Sequence, residues 1–249
     1  MKRLIALLAA AVMIAMVLSQ TFAAPTTAET AASAPIPRPA RPATQPDPTW
    51  VQFHAEFVAQ AKTGQAQLLF LGDSITRGWR SAADVWESHF GTFTPANFGI
   101  GGDRTEHVLW RLQHGELEGI SPKLAVLLIG TNNTARVDKP EDTAAGVKAI
   151  LETIAQKSPN TTVLLLSVLP RGADATDAKR INNDKLNALI AKFDDGKKVK
   201  YLDITGKFLA ADGTLVPGAY QKDDLHLDHK GYEIFAEAIT PTITELMGK

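Results

Sequence analysis

The chain has 249 residues and a formal net charge of −1, with 26 Lys+Arg against 27 Asp+Glu; a nucleic-acid binder needs a basic surplus for its phosphate contacts, and none is present. The length suits one large α/β domain or two small ones, and 45% hydrophobic with 21% charged residues is ordinary for a soluble globular protein. No cysteine occurs, which excludes disulfide scaffolds, cysteine-ligated zinc, iron–sulfur clusters and a thiol nucleophile.

The chain opens basic at Met1-Lys2-Arg3, runs apolar over 4–18, and then turns to small residues at Thr21-Phe22-Ala23-Ala24. That order reads as a secretory signal peptide over 1–23, with cleavage after Ala23 or alternatively Ala24, and so as an extracytoplasmic (periplasmic or secreted) protein. The apolar run is shorter than the roughly 20 residues that span a bilayer, which weighs against an uncleaved anchor. Without it, no membrane span is expected. Over 24–49 Ala, Thr and Pro dominate, as in Pro35-Ile36-Pro37-Arg38-Pro39. Proline blocks helices and ladders and there is little to bury, so this stretch is expected to be a disordered or polyproline-like spacer. The folded domain is expected over 50–249.

Within it, Phe53, Phe57 and Val58 share a helical face, predicting a helix over 50–61 stopped near Gly64. The apolar run 67–71 predicts a buried strand, and 96–99 a weaker one. A helix is expected over 104–117, a buried strand over 123–129, and an amphipathic helix over 141–156. A strand over 161–169, a helix over 178–193 and a strand over 199–204 follow. The last helix is expected over 231–247, broken near Pro241. Strands alternating with helices imply a mostly parallel five-stranded sheet covered on both faces, a three-layer α/β/α domain. In such sheets ligands bind beyond the carboxyl ends of the strands, so the residues just after each apolar run carry the functional information.

Four blocks stand there. Gly72-Asp73-Ser74 follows the first strand; Ser74 is a nucleophile at a strand-to-helix turn, or else Asp73 or Ser74 caps the next helix. Gly99-Ile100-Gly101-Gly102-Asp103-Arg104 follows the second. Its glycines let a backbone N–H approach a ligand, whereas a dinucleotide fingerprint would want glycine where Arg104 stands. Gly130-Thr131-Asn132-Asn133 follows the third, where a carboxamide can donate to an oxyanion or close an Asn turn on its own backbone. Asp223 and His226 lie three apart before the last helix, so a carboxylate can orient an imidazole as general base. His226, Asp228 and His229 also have the composition of a metal site, but a helical metal pair wants histidines four apart. Each block alone has a structural alternative; their order along the chain is that of a serine hydrolase.

With Gly72-Asp73-Ser74-Ile75, Gly99-Ile100-Gly101-Gly102-Asp103, Gly130-Thr131-Asn132 and Asp223-Asp224-Leu225-His226, the sequence resembles the SGNH hydrolases, or GDSL-type esterases, which have a flavodoxin-like sheet. The stretch 97–103, with Val108-Leu109-Trp110-Arg111-Leu112, Gly115-Glu116-Leu117 and Leu169-Pro170-Arg171-Gly172, is similar to the catalytic subunits of platelet-activating-factor acetylhydrolase. The resemblance implies Ser74 as nucleophile, His226 as base and Asp223 as its orienter, with Asp224 a weaker competitor. It implies an oxyanion hole from the Ser74 and Gly102 amides and the Asn132 side chain, Gly101 being the neighbouring choice. Asn133 departs from the Asp common in the family. No metal or organic cofactor is implied. The partner is a small-molecule ester, such as an acetylated carbohydrate or a phospholipid; a homodimer is compatible with the resemblance. Ile75 and Leu225 beside the site point to short acyl chains, acetyl first, and Trp79 and Trp110 are candidates for sugar stacking or for the core. A lysophospholipase or thioesterase on the same site, and a catalytically silent carbohydrate-binding protein, are the competing readings.

Overall fold

The computed structural model describes residues 36–248 except Val137. The expected signal segment and the first part of the expected spacer lie outside the described residues. Five strands, β1 (Leu68–Gly72), β2 (Pro95–Gly99), β3 (Leu124–Leu128), β4 (Thr162–Leu166) and β5 (Val199–Leu202), form one sheet in the order β2-β1-β3-β4-β5. Every pairing is parallel, so the sheet is parallel throughout, in the flavodoxin-like order.

The three central strands are apolar on both faces because both faces are covered. Leu69, Leu71, Ala125, Leu127, Val163 and Leu165 pack on one side, against α1 (Pro48–Ala61), α4 (Thr105–Arg111), α6 (Pro140–Lys157) and α7 (Ala178–Ile190). Their neighbours Leu68, Phe70, Leu124, Val126, Leu164 and Leu166 pack on the other, against α2 (Ser74–Arg77), α3 (Ala83–Phe90) and α8 (His229–Met247). α5 (Thr131–Ala135) is a short turn after β3. Each fully buried Leu, Ile or Phe contributes roughly 1.5–3 kcal/mol, so these two packed faces hold the strand ends, and hence the blocks that follow them, in register.

Three expectations need correction. The helix expected over 104–117 ends at Arg111; a wide turn follows, in which Gly115 has φ +112° and its α-carbon faces Val58 of α1. α8 runs unbroken through Pro241. Pro241 and Glu237, whose carbonyl the proline cannot serve, are both exposed, so water can take the freed acceptor and the helix need not break.

The third concerns the spacer. From Arg38 onward the chain is bonded to the domain: Pro39 is buried, its carbonyl accepts from Thr105 Oγ1 at 2.8 Å, and Ala43 N donates to Glu106 O at 3.1 Å. A Cβ on Gly146 of α6 would lie 2.4 Å from Pro39 O; the bare glycine lets the strap approach. Arg38 pairs with Glu106 and Asp138. Composition is a poor guide here because the strap is held by one buried proline ring and by polar contacts to Thr105, Glu106 and Asp138 rather than by a run of large apolar groups.

Candidate active site

The chain leaves β1 and β3, which are paired neighbours, at Gly72 and Leu128. Gly72 has no room for a side chain: a Cβ would meet Thr76 Oγ1 at 2.1 Å and Leu128 O at 2.4 Å. Asp73 is buried and caps α2 by accepting from Ile75 N at 2.9 Å. Half-buried Ser74 therefore opens the helix without serving as its cap. The capping role belongs to Asp73, and Ser74 is left for another.

His226 arrives from 152 residues away; its Nε2 lies 2.9 Å from Ser74 Oγ. Its Nδ1 lies 2.5 Å from Asp223 Oδ2, and Asp223 Oδ1 accepts from the backbone amides of Leu225 at 3.1 Å and His226 at 3.0 Å. One carboxylate thus bonds the turn and the imidazole it carries. Asp224 serves differently: it takes the left-handed conformation, φ +51°, and its carbonyl accepts from Gly172 N at 2.9 Å. The Leu169–Gly172 stretch braces this turn further, since Tyr220 Oη donates to Pro170 O at 2.8 Å. His229 turns to Asp84 and Glu233, and Asp228 caps α8, so the three groups that suggested a metal site by composition have separate partners.

On the other side of Ser74 stands the glycine block. A Cβ on Gly101 would come within 3.9 Å of Ser74 Cβ. Asp103 N donates to Ile100 O at 3.3 Å across a turn in which Gly102 has φ +75°, the signature of a type II turn. Asn132 sits between the blocks: its Nδ2 donates to Asp103 O at 2.9 Å and, more weakly, to Asp73 Oδ2 at 3.4 Å. Asn133, the departure from the family pattern, is fully buried; it accepts from Thr105 N at 3.0 Å and donates to Glu106 and Asp138 at 3.1 Å each. An aspartate could not donate to those two carboxylates.

Beneath the block lies a buried ionic hub. Asp103 Oδ1 accepts from Trp50 Nε1 at 2.8 Å and Gln45 Nε2 at 2.6 Å. Its Oδ2 pairs with Arg111 Nη2 at 2.9 Å, while Arg111 Nη1 reaches Glu116 at 2.7 Å and Phe98 O at 3.0 Å. All three charged side chains are sealed from water. The four blocks by themselves do not reveal the hub, Gln45 or the burial of Arg171. Arg171 is buried beside Thr131, donating to its Oγ1 at 3.0 Å. The sequence signal available was the pair of opposite charges Arg111 and Glu116, five residues apart, shortly after the glycine block.

Burial dominates the electrostatics. It pushes the Asp73 carboxyl up to about 7; the Ile75 amide opposes, Asp103 adds to the rise, and His226 and Arg171 offset part of it. Burial likewise raises Asp103 to about 6 against the pull of Arg111, Trp50 and Gln45. For Asp223 partial burial is outweighed by the hydrogen bonds from His226 and Leu225, which hold it below the usual carboxylate range.

Trp79 is buried among Phe70, Trp86, Tyr232 and Phe235, and Trp110 stacks on His114 with centroids 3.9 Å apart. Ile75 is likewise in the core, and half-buried Leu225, next to His226 in sequence, packs against the same core.

A model of the GDSL-like lipase/acylhydrolase family matches residues 70–234. By sequence the chain is similar to the platelet-activating factor acetylhydrolase IB subunit alpha1 of Pongo abelii, 34% identical over 206 residues that cover 82% of this chain and 87% of that protein. In fold it is similar to a GDSL-like lipase from Bacteroides thetaiotaomicron VPI-5482, with TM-score 0.65 and 23% identity, covering 78% of this chain and 97% of that one. It is also similar in fold to a mutant of an acetyl-xylooligosaccharide esterase from Geobacillus Stearmophilus, with TM-score 0.59 and 18% identity, covering 76% and 97%.

Proposed function

The chain belongs to the GDSL-like lipase/acylhydrolase family, hydrolases that act on esters, and from that premise we propose that it is a secreted serine esterase of short-chain carboxylic esters, acetyl first. The observation that carries this reading is the Ser74–His226–Asp223 chain, with contacts of 2.9 Å and 2.5 Å.

Ser74 Oγ attacks the ester carbonyl carbon while His226 Nε2 takes its proton. Asp223 fixes the tautomer that leaves Nε2 free to accept and stabilises the imidazolium that forms. The negative charge gathers on the former carbonyl oxygen. Donors for it are the Ser74 and Gly102 amides and Asn132 Nδ2, whose long 3.4 Å bond to Asp73 is the one a developing oxyanion would replace. His226 then protonates the departing alcohol. Water, deprotonated by His226, attacks the acyl-enzyme and releases the acid and free Ser74.

Short acyl chains are supported by the relative named an acetylhydrolase and by the neighbour named an acetyl-xylooligosaccharide esterase. Export is supported by the basic, apolar, small-residue order of the first 24 residues. Covalent labelling by a fluorophosphonate, absent in Ser74→Ala, tests the nucleophile; undiminished labelling of the variant would overturn it. A rate series on p-nitrophenyl esters from acetyl to dodecanoyl tests the substrate class. A maximum at acetyl is expected, and a maximum at long chains would favour a lysophospholipase or thioesterase instead.

A further inference from the structure

Gln45 belongs to none of the four blocks and lies in a proline-rich stretch, yet its side chain ends at the glycine block. Its Nε2 donates to Gly101 O at 3.2 Å and to Asp103 Oδ1 at 2.6 Å. The amide cannot be turned the other way, because Oε1 would then face a carbonyl and a carboxylate that have nothing to donate.

Gly101 O and the N–H of Gly102 are the two ends of one peptide unit. In a trans peptide they point in opposite directions, so whatever holds the carbonyl also aims the N–H. The unit is the middle peptide of the Ile100–Asp103 turn, in type II geometry with Gly102 at φ +75°. A half-turn of that peptide gives the type I form, with the carbonyl where the N–H had been. With glycine at both central positions, no side chain opposes the flip. An external hold is needed to choose between the two forms, and the side chain in place to supply it is Gln45.

Gln45 is itself well anchored. The strap that carries it is bonded to α4 through Pro39 and Ala43. Its second acceptor, Asp103, is fixed by Trp50 and Arg111. On the far side, a Cβ on Gly102 would come within 3.5 Å of Gln45 Oε1, so the latch lies directly against the turn.

We infer that Gln45 is a positioning residue that locks the Gly101–Gly102 peptide with the Gly102 N–H presented to the oxyanion. This rests on the serine-esterase reading above. The hole is then assembled partly by a segment that precedes the catalytic domain in sequence and folds back over it.

The full chain and its Gln45→Leu, Gln45→Glu and Ser74→Ala variants are assayed on p-nitrophenyl acetate from pH 5.5 to 8.5. Gln45→Leu should lower kcat about tenfold or more with KM within about twofold, as for a contact that matters only once the oxyanion forms. Gln45→Glu should lose most at high pH, where its carboxylate faces both Gly101 O and the Asp103 carboxylate with nothing to donate; its kcat relative to the unaltered chain should rise as pH falls, because the two facing carboxyls then take up protons and an O–H is again available to Gly101 O. A merely structural contact would leave that ratio flat. A kcat for Gln45→Leu within about twofold of normal, or a flat ratio for Gln45→Glu, overturns the latch provided Ser74→Ala is inactive. An active Ser74→Ala would instead overturn the underlying serine reading. If Gln45→Leu does not fold, the ratio decides alone; if neither variant folds, Gln45 is structural and the inference fails.

Discussion

At the His226 end of the site, the imidazole is 36% exposed and the Asp223 carboxylate 47%, and both ride on a turn held by a few backbone bonds. At the glycine end, Asp103, Arg111 and Glu116 are shut away from water and bonded to one another, to Trp50 and to Gln45. The difference follows from what each end has to do in the proposed reaction. A base that takes a proton from Ser74, hands it to a leaving alcohol and then activates water needs access to all three. Donors that stabilise an oxyanion work because they are aimed before the charge appears, and aim comes from a rigid, dry underlay.

The contrast can be broken by substitution. His226→Ala should cut kcat about 10⁴-fold or more while leaving the thermal midpoint nearly unchanged; a large fall in the midpoint with activity retained would show that the rim is structural after all. Arg111→Met should do the reverse. It strands two buried carboxylates, so urea unfolding should report a loss of about 3–5 kcal/mol. A loss well under 1 kcal/mol would mean that the hub is not what holds the turn. Trp50→Phe removes the indole donor to Asp103 together with part of a buried ring packed on His54, His107 and Trp110 and should cost about 2–3 kcal/mol, measured the same way.

A smaller effect sharpens the comparison through pH. Folded Asp73 keeps its proton up to about 7, against a usual value of 3.8, so between those limits the native state binds the extra proton. Stability from this group is therefore present at low pH and falls as pH rises through that window, by up to about 1.4 kcal/mol per pH unit. Asp73→Asn cannot lose a proton, so its stability relative to the unaltered chain should improve from pH 4.5 to 7. The opposite trend in urea unfolding would mean that Asp73 is ionised and paired in the fold.

Sequence and structure agree most closely where the signal is local. The apolar runs that became β1, β3 and β4 were legible because a strand buried on both faces must be apolar at every position. Ser74, Asn132, Asp223 and His226 were legible because they stand just past those runs or just before the last helix. The segment between Ser74 and Phe93 was not read, since its short helical turns carry no sustained period. The role of Asp103 was not legible, because a carboxylate at a helix start looks the same whether it caps that helix or meets a guanidinium beneath it.

The amino-acid order alone determined the doubly covered sheet, the four blocks and the family they resemble, because strand burial, turn residues and a three-residue Asp–His spacing are short-range properties. Tertiary structure decided that the proline-rich strap returns to the domain and that Gln45 reaches Gly101 across 56 positions. It also decided that Trp50 meets Asp103 across 53 and His226 meets Ser74 across 152. Such meetings depend on where the whole chain has been folded to, and no local pattern of side chains encodes them.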